Sequence, residues 1–157
     1  MLFDIWIGNT DRHTGNLSID KTKAKHRLNV YDHGHALFGF EGMARTTRMM
    51  DKFAIDEMAE TGANRQCLLD ELPDDRHFDR WIHRIEKTPE WLIDRVCRDT
   101  MESGLLDHGE VKSAFIFISH RAKELRRIVE LNKNEFKSMA WSWFSSNSSN
   151  IWDGPHI

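Results

Sequence analysis

Apolar and polar positions follow two different rhythms along this chain of 157 residues. Up to about residue 40 the sequence is dense in Gly, Asn, Asp and His, and only short β-type runs interrupt it: Leu17-Ser18-Ile19 and Leu28-Asn29-Val30-Tyr31. Runs of this kind bounded by turn formers read as strands. The Lys-rich stretch 20–27 between them reads as the solvated connection of a hairpin. Beyond Thr47 the rhythm becomes helical. Met50, Phe53, Ile55, Met58 and Ala59 predict a short helix stopped at Gly62, and Phe78, Trp81, Ile82 and Ile85 place an apolar stripe on a second. Thr88-Pro89 restarts the chain, with Thr88 as a cap and Pro89 at a first helical position, and Trp91, Leu92, Val96 and Met101 carry the apolar face up to Ser103-Gly104. The longest helix is expected over about 109–131, with Val111, Phe115, Ile118, Ala122, Leu125 and Val129 inward and Lys123, Arg126 and Arg127 outward. Phe136, Met139, Ala140, Trp143 and Phe144 suggest one more turn-rich helix. The Ser/Asn tail from 145 to 157 reads as disordered. The fold class is mainly α with a small β ribbon.

Composition narrows the classes of function. Charged residues are 30% and hydrophobic residues 39% of the chain, a globular balance for one domain. The net charge of −3 supplies no broad positive field, so no nucleic-acid or anionic-lipid partner is expected. Cys67 and Cys97 are the only cysteines and form neither a disulfide framework nor a close metal pair, which fits a reducing cytoplasm. The apolar stretch 1–7 is too short for a signal-peptide core and contains Asp4, and no run approaches a membrane span. A soluble cytoplasmic protein is the expectation.

Candidate chemistry lies in the first forty residues. In Gly8-Asn9-Thr10-Asp11-Arg12-His13-Thr14-Gly15-Asn16 an Asp is followed five positions on by an Asn, and the expected hairpin then delivers Tyr31-Asp32-His33-Gly34. Phosphoryl transfer needs a carboxylate beside the attacking hydroxyl and oxygen ligands for Mg²⁺ that neutralise phosphate charge. Asp11, Asn16 and Asp32 are such a set, and Gly15 and Gly34 permit tight backbone beside them. Other readings exist for the same residues. Asp, Asn and Gly recur in loops for backbone reasons alone. His13 reads more simply as a structural hydrogen-bonding residue. His13, His26, His33 and His35 with Asp32 would suit a transition metal by donor type, but their spacing matches no zinc pattern. Trp81 with Trp91, and Trp141 with Trp143, read as core rather than as a ligand groove, and Lys123, Arg126 and Arg127 as a solvated face.

The segment from Phe3 to Asn16, with Tyr31-Asp32-His33-Gly34-His35-Ala36-Leu37, resembles the catalytic and metal-binding motifs of bacterial HipA-like kinases. Its Asp-Arg-His-x-x-Asn core is also similar to that of the phosphatidylinositol 3- and 4-kinases. The resemblance implies a kinase C-terminal lobe over 1–144, with the catalytic loop and metal-binding hairpin in 1–40 and the helical part in 41–144. It makes Asp11 the catalytic carboxylate, Asn16 and Asp32 the ligands of Mg²⁺ and thereby of ATP, and His13 a second acid/base. The strand-rich lobe that covers the phosphates and contributes a Lys is not found beside these motifs, and Lys52 or Lys87 would be poor substitutes. A separate N-lobe chain or self-association is therefore expected, over an apolar surface left open near Phe3, Trp6, Ile7, Leu37 and Phe38. The acceptor hydroxyl is not encoded in the motifs. A non-enzymatic alternative is a pseudokinase-like binding or regulatory module.

Overall fold

The computed structural model describes residues 1–22, 25–34, 36–37 and 66–142. The helix expected near 50–59, Lys52, His35, Phe38, Trp143, Phe144 and the tail 145–157 lie outside the described residues.

Where the sequence suggested only loops and a hairpin, the chain opens with a helix, α1 (Leu2–Ile7). Leu2 and Ile5, one turn apart, point into the core. Gly8 ends α1 in the left-handed conformation at φ 65°, its N–H turned back to the last carbonyls of the helix. A Cβ at Gly8 would also lie 3.3 Å from the Phe117 ring, so both conformation and space call for glycine. A 3₁₀ turn over Thr14–Asn16 leads into β1 (Leu17–Asp20), which pairs antiparallel with β2 (Arg27–Val30). The register is Leu17 opposite Val30 and Ile19 opposite Leu28. The ribbon thus forms where the sequence placed it, and residues 21–22 and 25–26 of its connection are exposed.

Four more helices follow among the described residues: α2 (Leu68–Glu71), α3 (Phe78–Glu86), α4 (Glu90–Glu102) and α5 (His108–Leu131). The described residues are therefore mainly helical, with a two-stranded ribbon. Asp107 and Glu110 start α5 with reciprocal bonds: Glu110 N–H donates to Asp107 Oδ1 at 2.8 Å and Asp107 N–H to Glu110 Oε2 at 2.9 Å. The long helix is the spine of the fold. Ala122, Leu125, Ile128 and Val129 pack with Leu2, Ile5, Leu69, Phe78, Ile82, Ile85, Phe136 and Met139. Nearer its N-terminus, Ala114 and Phe117 pack with Ile93 and Cys97 of α4. Trp6 touches both clusters, which places α1 at their junction.

Four expectations are corrected. On α4 the buried stripe is Ile93 and Cys97, while Trp91, Leu92 and Val96 are exposed. Residues 92 and 96 lie one position from 93 and 97, a rotation of about 100° that periodicity alone does not fix. The N-cap there is Pro89, and the Thr88 hydroxyl donates instead to Arg84 O at 3.4 Å. Trp81 and Trp91 are surface residues, while Trp141 joins the core, edge-on to Phe78 and Phe136 with ring centroids 5.8 and 5.2 Å away. After α5 the chain forms a 3₁₀ turn (Lys133–Glu135) rather than a further helix. It then returns along the start of α3, where Ala140 N–H donates to Pro73 O at 2.9 Å and Ser142 N–H to Asp75 Oδ2 at 3.0 Å. The outward cations of α5 are as expected at the surface, and each is paired, Lys123 with Glu90, Arg126 with Asp79 and Arg127 with Glu124.

Leu125, fully buried at 0% exposure, and Trp91, at 66%, make opposite forecasts from similar chemistry. Leu125→Ala should cost about 2–5 kcal/mol of stability, whereas Trp91→Ala should stay within about 0.5 kcal/mol. Urea unfolding followed by circular dichroism measures both, and a large loss for Trp91→Ala would overturn the assigned face of α4.

Candidate active site

A buried carboxylate organises the loop that carries Asp11. Asp4, on α1, is 2% exposed, and Arg12, eight residues on, is 1% exposed. Isolated charges are not stable in such surroundings, so each needs partners. Arg12 Nη2 donates to Asp4 Oδ1 at 2.8 Å, and Arg12 Nε lies 3.3 Å from both carboxylate oxygens. Asn9 Nδ2 donates to Asp4 Oδ1 at 3.0 Å and Gln66 Nε2 to Asp4 Oδ2 at 3.3 Å. Burial by itself pushes the Asp4 carboxyl up, and the Arg12 hydrogen bond with its neighbours more than offsets that, so the net shift is downward.

The same network sets the backbone on either side. Asn9 Oδ1 accepts from Asp11 N–H at 3.3 Å, and Arg12 O accepts from Cys67 N–H at 2.8 Å. Arg12 Nη1 reaches the far end of the ribbon, donating to Tyr31 O and, at 3.3 Å, to Asp32 O. Asn16 closes the loop from the other side: its Nδ2 donates to Asp11 O at 2.9 Å while its own carbonyl accepts from Tyr31 N–H at 3.1 Å. Through these backbone bonds Asp11, Asn16 and Asp32 belong to one hydrogen-bonded unit.

Each of the four expected site residues has its own local geometry. Asp32 sits in the left-handed region at φ 52° and caps its own turn, its Oδ1 accepting from Gly34 N–H at 3.1 Å. A Cβ at Gly34 would stand 3.2 Å from that oxygen. Asn16 is buried, and with Nδ2 engaged its Oδ1 has no donor among the described residues. His13 caps the 3₁₀ turn, Nδ1 accepting from Gly15 N–H at 3.0 Å. The neutral ring therefore carries its proton on Nε2, which stands 4.0 Å from Asp11 Oδ2. A Cβ at Gly15 would lie 2.8 Å from His13 Cε1, so a side chain there would displace the His13 ring.

The donor set suits a hard cation in chemistry and in number only with help from a ligand. Asp32 offers a carboxylate oxygen beyond the one bonded to Gly34, Asn16 an amide oxygen, and Asp11 a second carboxylate. Mg²⁺ is typically held in this way, by one or two carboxylates together with substrate phosphates and water. Among the described residues no group of three or more His, Cys, Asp and Glu is placed to hold a metal ion. Of the histidines in the alternative reading, His33 packs edge-on against Phe3 at 5.7 Å, and His35 lies outside the described residues.

The open surface expected beside the site is only partly apolar. Phe3 is exposed, but Trp6 donates Nε1–H to Ile118 O at 2.9 Å, and Leu37 packs on the second core cluster with its N–H on Ile7 O. A different apolar surface appears on the ribbon, where Ile19, Leu28 and Val30 share one exposed face with half-buried Leu17. Elsewhere, Arg121, buried on α5, donates to Ile5 O from Nε at 2.9 Å and Nη2 at 2.6 Å, holding the end of α1 from below. Burial raises both cysteine thiols, which makes them poor nucleophiles. No described helix is long and apolar enough to cross a membrane.

Asp4, Asn9, Arg12 and Gln66 support the site, and only the apolar setting of Asp4 hinted at this in the sequence. An acid in an otherwise apolar helix requires a buried partner. Asp4→Asn should cost about 3 kcal/mol at neutral pH by leaving Arg12 without its counter-charge. Because the folded-state pKa of Asp4 is lowered, its contribution is complete above the usual carboxylate value and disappears as pH falls through the folded value. The stability gap between wild type and Asp4→Asn should hold steady from pH 7 to about 5 and narrow below about 4. Urea midpoints across that range test this, and a gap that widens in acid would contradict the ion pair.

No family model matches the chain, and no curated protein or solved structure matches it either, so the site is read from its own residues.

Proposed function

We propose that this chain is the catalytic and metal-binding half of a HipA-like kinase, with the architecture of a kinase C-terminal lobe, transferring the γ-phosphoryl group of ATP to a hydroxyl of an acceptor. The observation that carries this reading is the hydrogen-bonded unit joining Asp11, Asn16 and Asp32 across the ribbon. Residues that ordinary turn chemistry would leave independent are tied to a common frame.

In this reading Asp11 orients the attacking hydroxyl and accepts its proton, and the adjoining His13 Nε2 supplies a second proton-handling group. Asn16 Oδ1 and the Asp32 carboxylate would hold Mg²⁺, which supplies charge neutralisation on the phosphates when bound. The exposed apolar face of Leu17, Ile19, Leu28 and Val30 gives a flat wall for a purine ring. A second lobe, in a partner chain or another copy, would form the opposite wall with the phosphate-covering loop and its Lys.

Titration of Mg²⁺-ATP followed by NMR tests the assignment. Asp32→Ala should weaken binding about tenfold, the effect of losing roughly 1.4 kcal/mol of metal-mediated contact. Asp11→Ala should leave affinity within about twofold and abolish phosphoryl transfer once a second lobe is supplied, since it acts on the hydroxyl and not on the metal. Nucleotide affinity indifferent to both substitutions would refute the reading. Binding without transfer in any reconstituted form would favour a pseudokinase-like module.

A further inference from the structure

We propose that Arg12 is the positioning residue for Asp32: through Asp4 it fixes the left-handed backbone at Asp32 and so sets how that carboxylate is presented. The step deepens the phosphotransfer reading, and only its metal arm rests on that reading. Arg12 is 1% exposed and spends its donors in two directions, Nε and Nη2 on Asp4 and Nη1 on the carbonyls of Tyr31 and Asp32. Among the described residues no other side chain donates to those two carbonyls. Asp32 has a conformation that a non-glycine residue seldom adopts, and its own carboxylate stabilises the turn only through Gly34 N–H. A planar fork that anchors to a buried carboxylate and grips consecutive carbonyls holds such a turn in one arrangement. Asp11 immediately precedes Arg12, so the same rigid unit carries both carboxylates.

Arg12→Lys separates positioning from charge. Lysine keeps a cation opposite Asp4, but one ammonium on a flexible stem cannot span the carboxylate and both carbonyls. Amide NMR of wild type and Arg12→Lys, with Mn²⁺ as the probe ion for oxygen donors, provides two readouts. Loss of the charge-assisted bonds should speed Gly34 amide exchange at least about tenfold, and raise the Mn²⁺ concentration that broadens signals around Asp11 and Asp32 by a similar factor. The amides of α5 should keep their shifts. Unchanged Gly34 exchange overturns the proposal, and so does Mn²⁺ broadening that sets in at the same concentration in both proteins. Faster Gly34 exchange with no Mn²⁺ effect in either protein leaves the positioning intact and sinks the phosphotransfer reading instead. Should Arg12→Lys fail to fold, exchange in the wild type decides: Arg12 Nε–H and Gly34 N–H released by one common opening support the proposal. A Gly34 amide that opens while Arg12 Nε–H stays protected overturns it.

Discussion

The ion pair between Asp4 and Arg12 is the constraint on which the rest of the site depends. Two charges removed from water gain stability only when geometry and additional hydrogen bonds are good, and here Asn9 and Gln66 add donors to the carboxylate. Each of those partners then anchors a different segment. Asn9 holds the backbone of Asp11, Gln66 accepts from Leu68 N–H at 2.7 Å at the start of α2, and Arg12 holds the end of β2. Segments far apart in sequence thereby share one origin of coordinates, a buried oxygen pair on a six-residue helix.

That helix is too short to be stable by itself, since an isolated helix of a few residues does not offset its nucleation cost. Its stability comes from its surroundings. Leu2 and Ile5 are buried in the main core, Trp6 ties it to α5 through Ile118 O, and Arg121 holds the carbonyl of Ile5. Burial of Asp4 thus relies on the hydrophobic packing of α5, and order in the site relies on Asp4. Stability of the scaffold and geometry of the loop are coupled through a few named atoms.

How much of this could be read from sequence follows from what each feature requires. The ribbon was legible because alternation and turn formers are local signals, and α5 because its apolar period persists over many turns. The orientation of α4 was not, since Leu92 and Val96 satisfy the same period as Ile93 and Cys97, and only contact with Ala114 and Phe117 decides between them. Asp11, Asn16 and Asp32 stood out by type and spacing, while Arg12 between them went unread. Its partner Asp4 was seen only as a charge that interrupts an apolar stretch, although a charge that folding buries is a statement about a partner elsewhere. Pairings at long range have no local signature, which is why the supporting network emerged only with the fold.

The division between buried support and accessible chemistry carries a physical consequence. Arg12, Asp4 and Asn9 are shielded from water, so their mutual interactions are strong and little screened by salt. Asp32 and His13 are exposed, and Asp11 is partly so, which puts them within reach of solvent. Such a backbone is ordered before anything binds, so a cation that came to these oxygens would find them already placed and less conformational entropy would be lost. The apolar face of the ribbon has the opposite character. Ile19, Leu28 and Val30 remain in contact with water, and a two-stranded ribbon is marginal without a surface to cover it. Covering that face with an aromatic ring or a second protein surface would remove apolar area from water and stiffen β2 at once, and β2 ends at the carbonyls that Arg12 holds. The ribbon therefore links whatever occupies its apolar face to the backbone of Asp32 through a single strand.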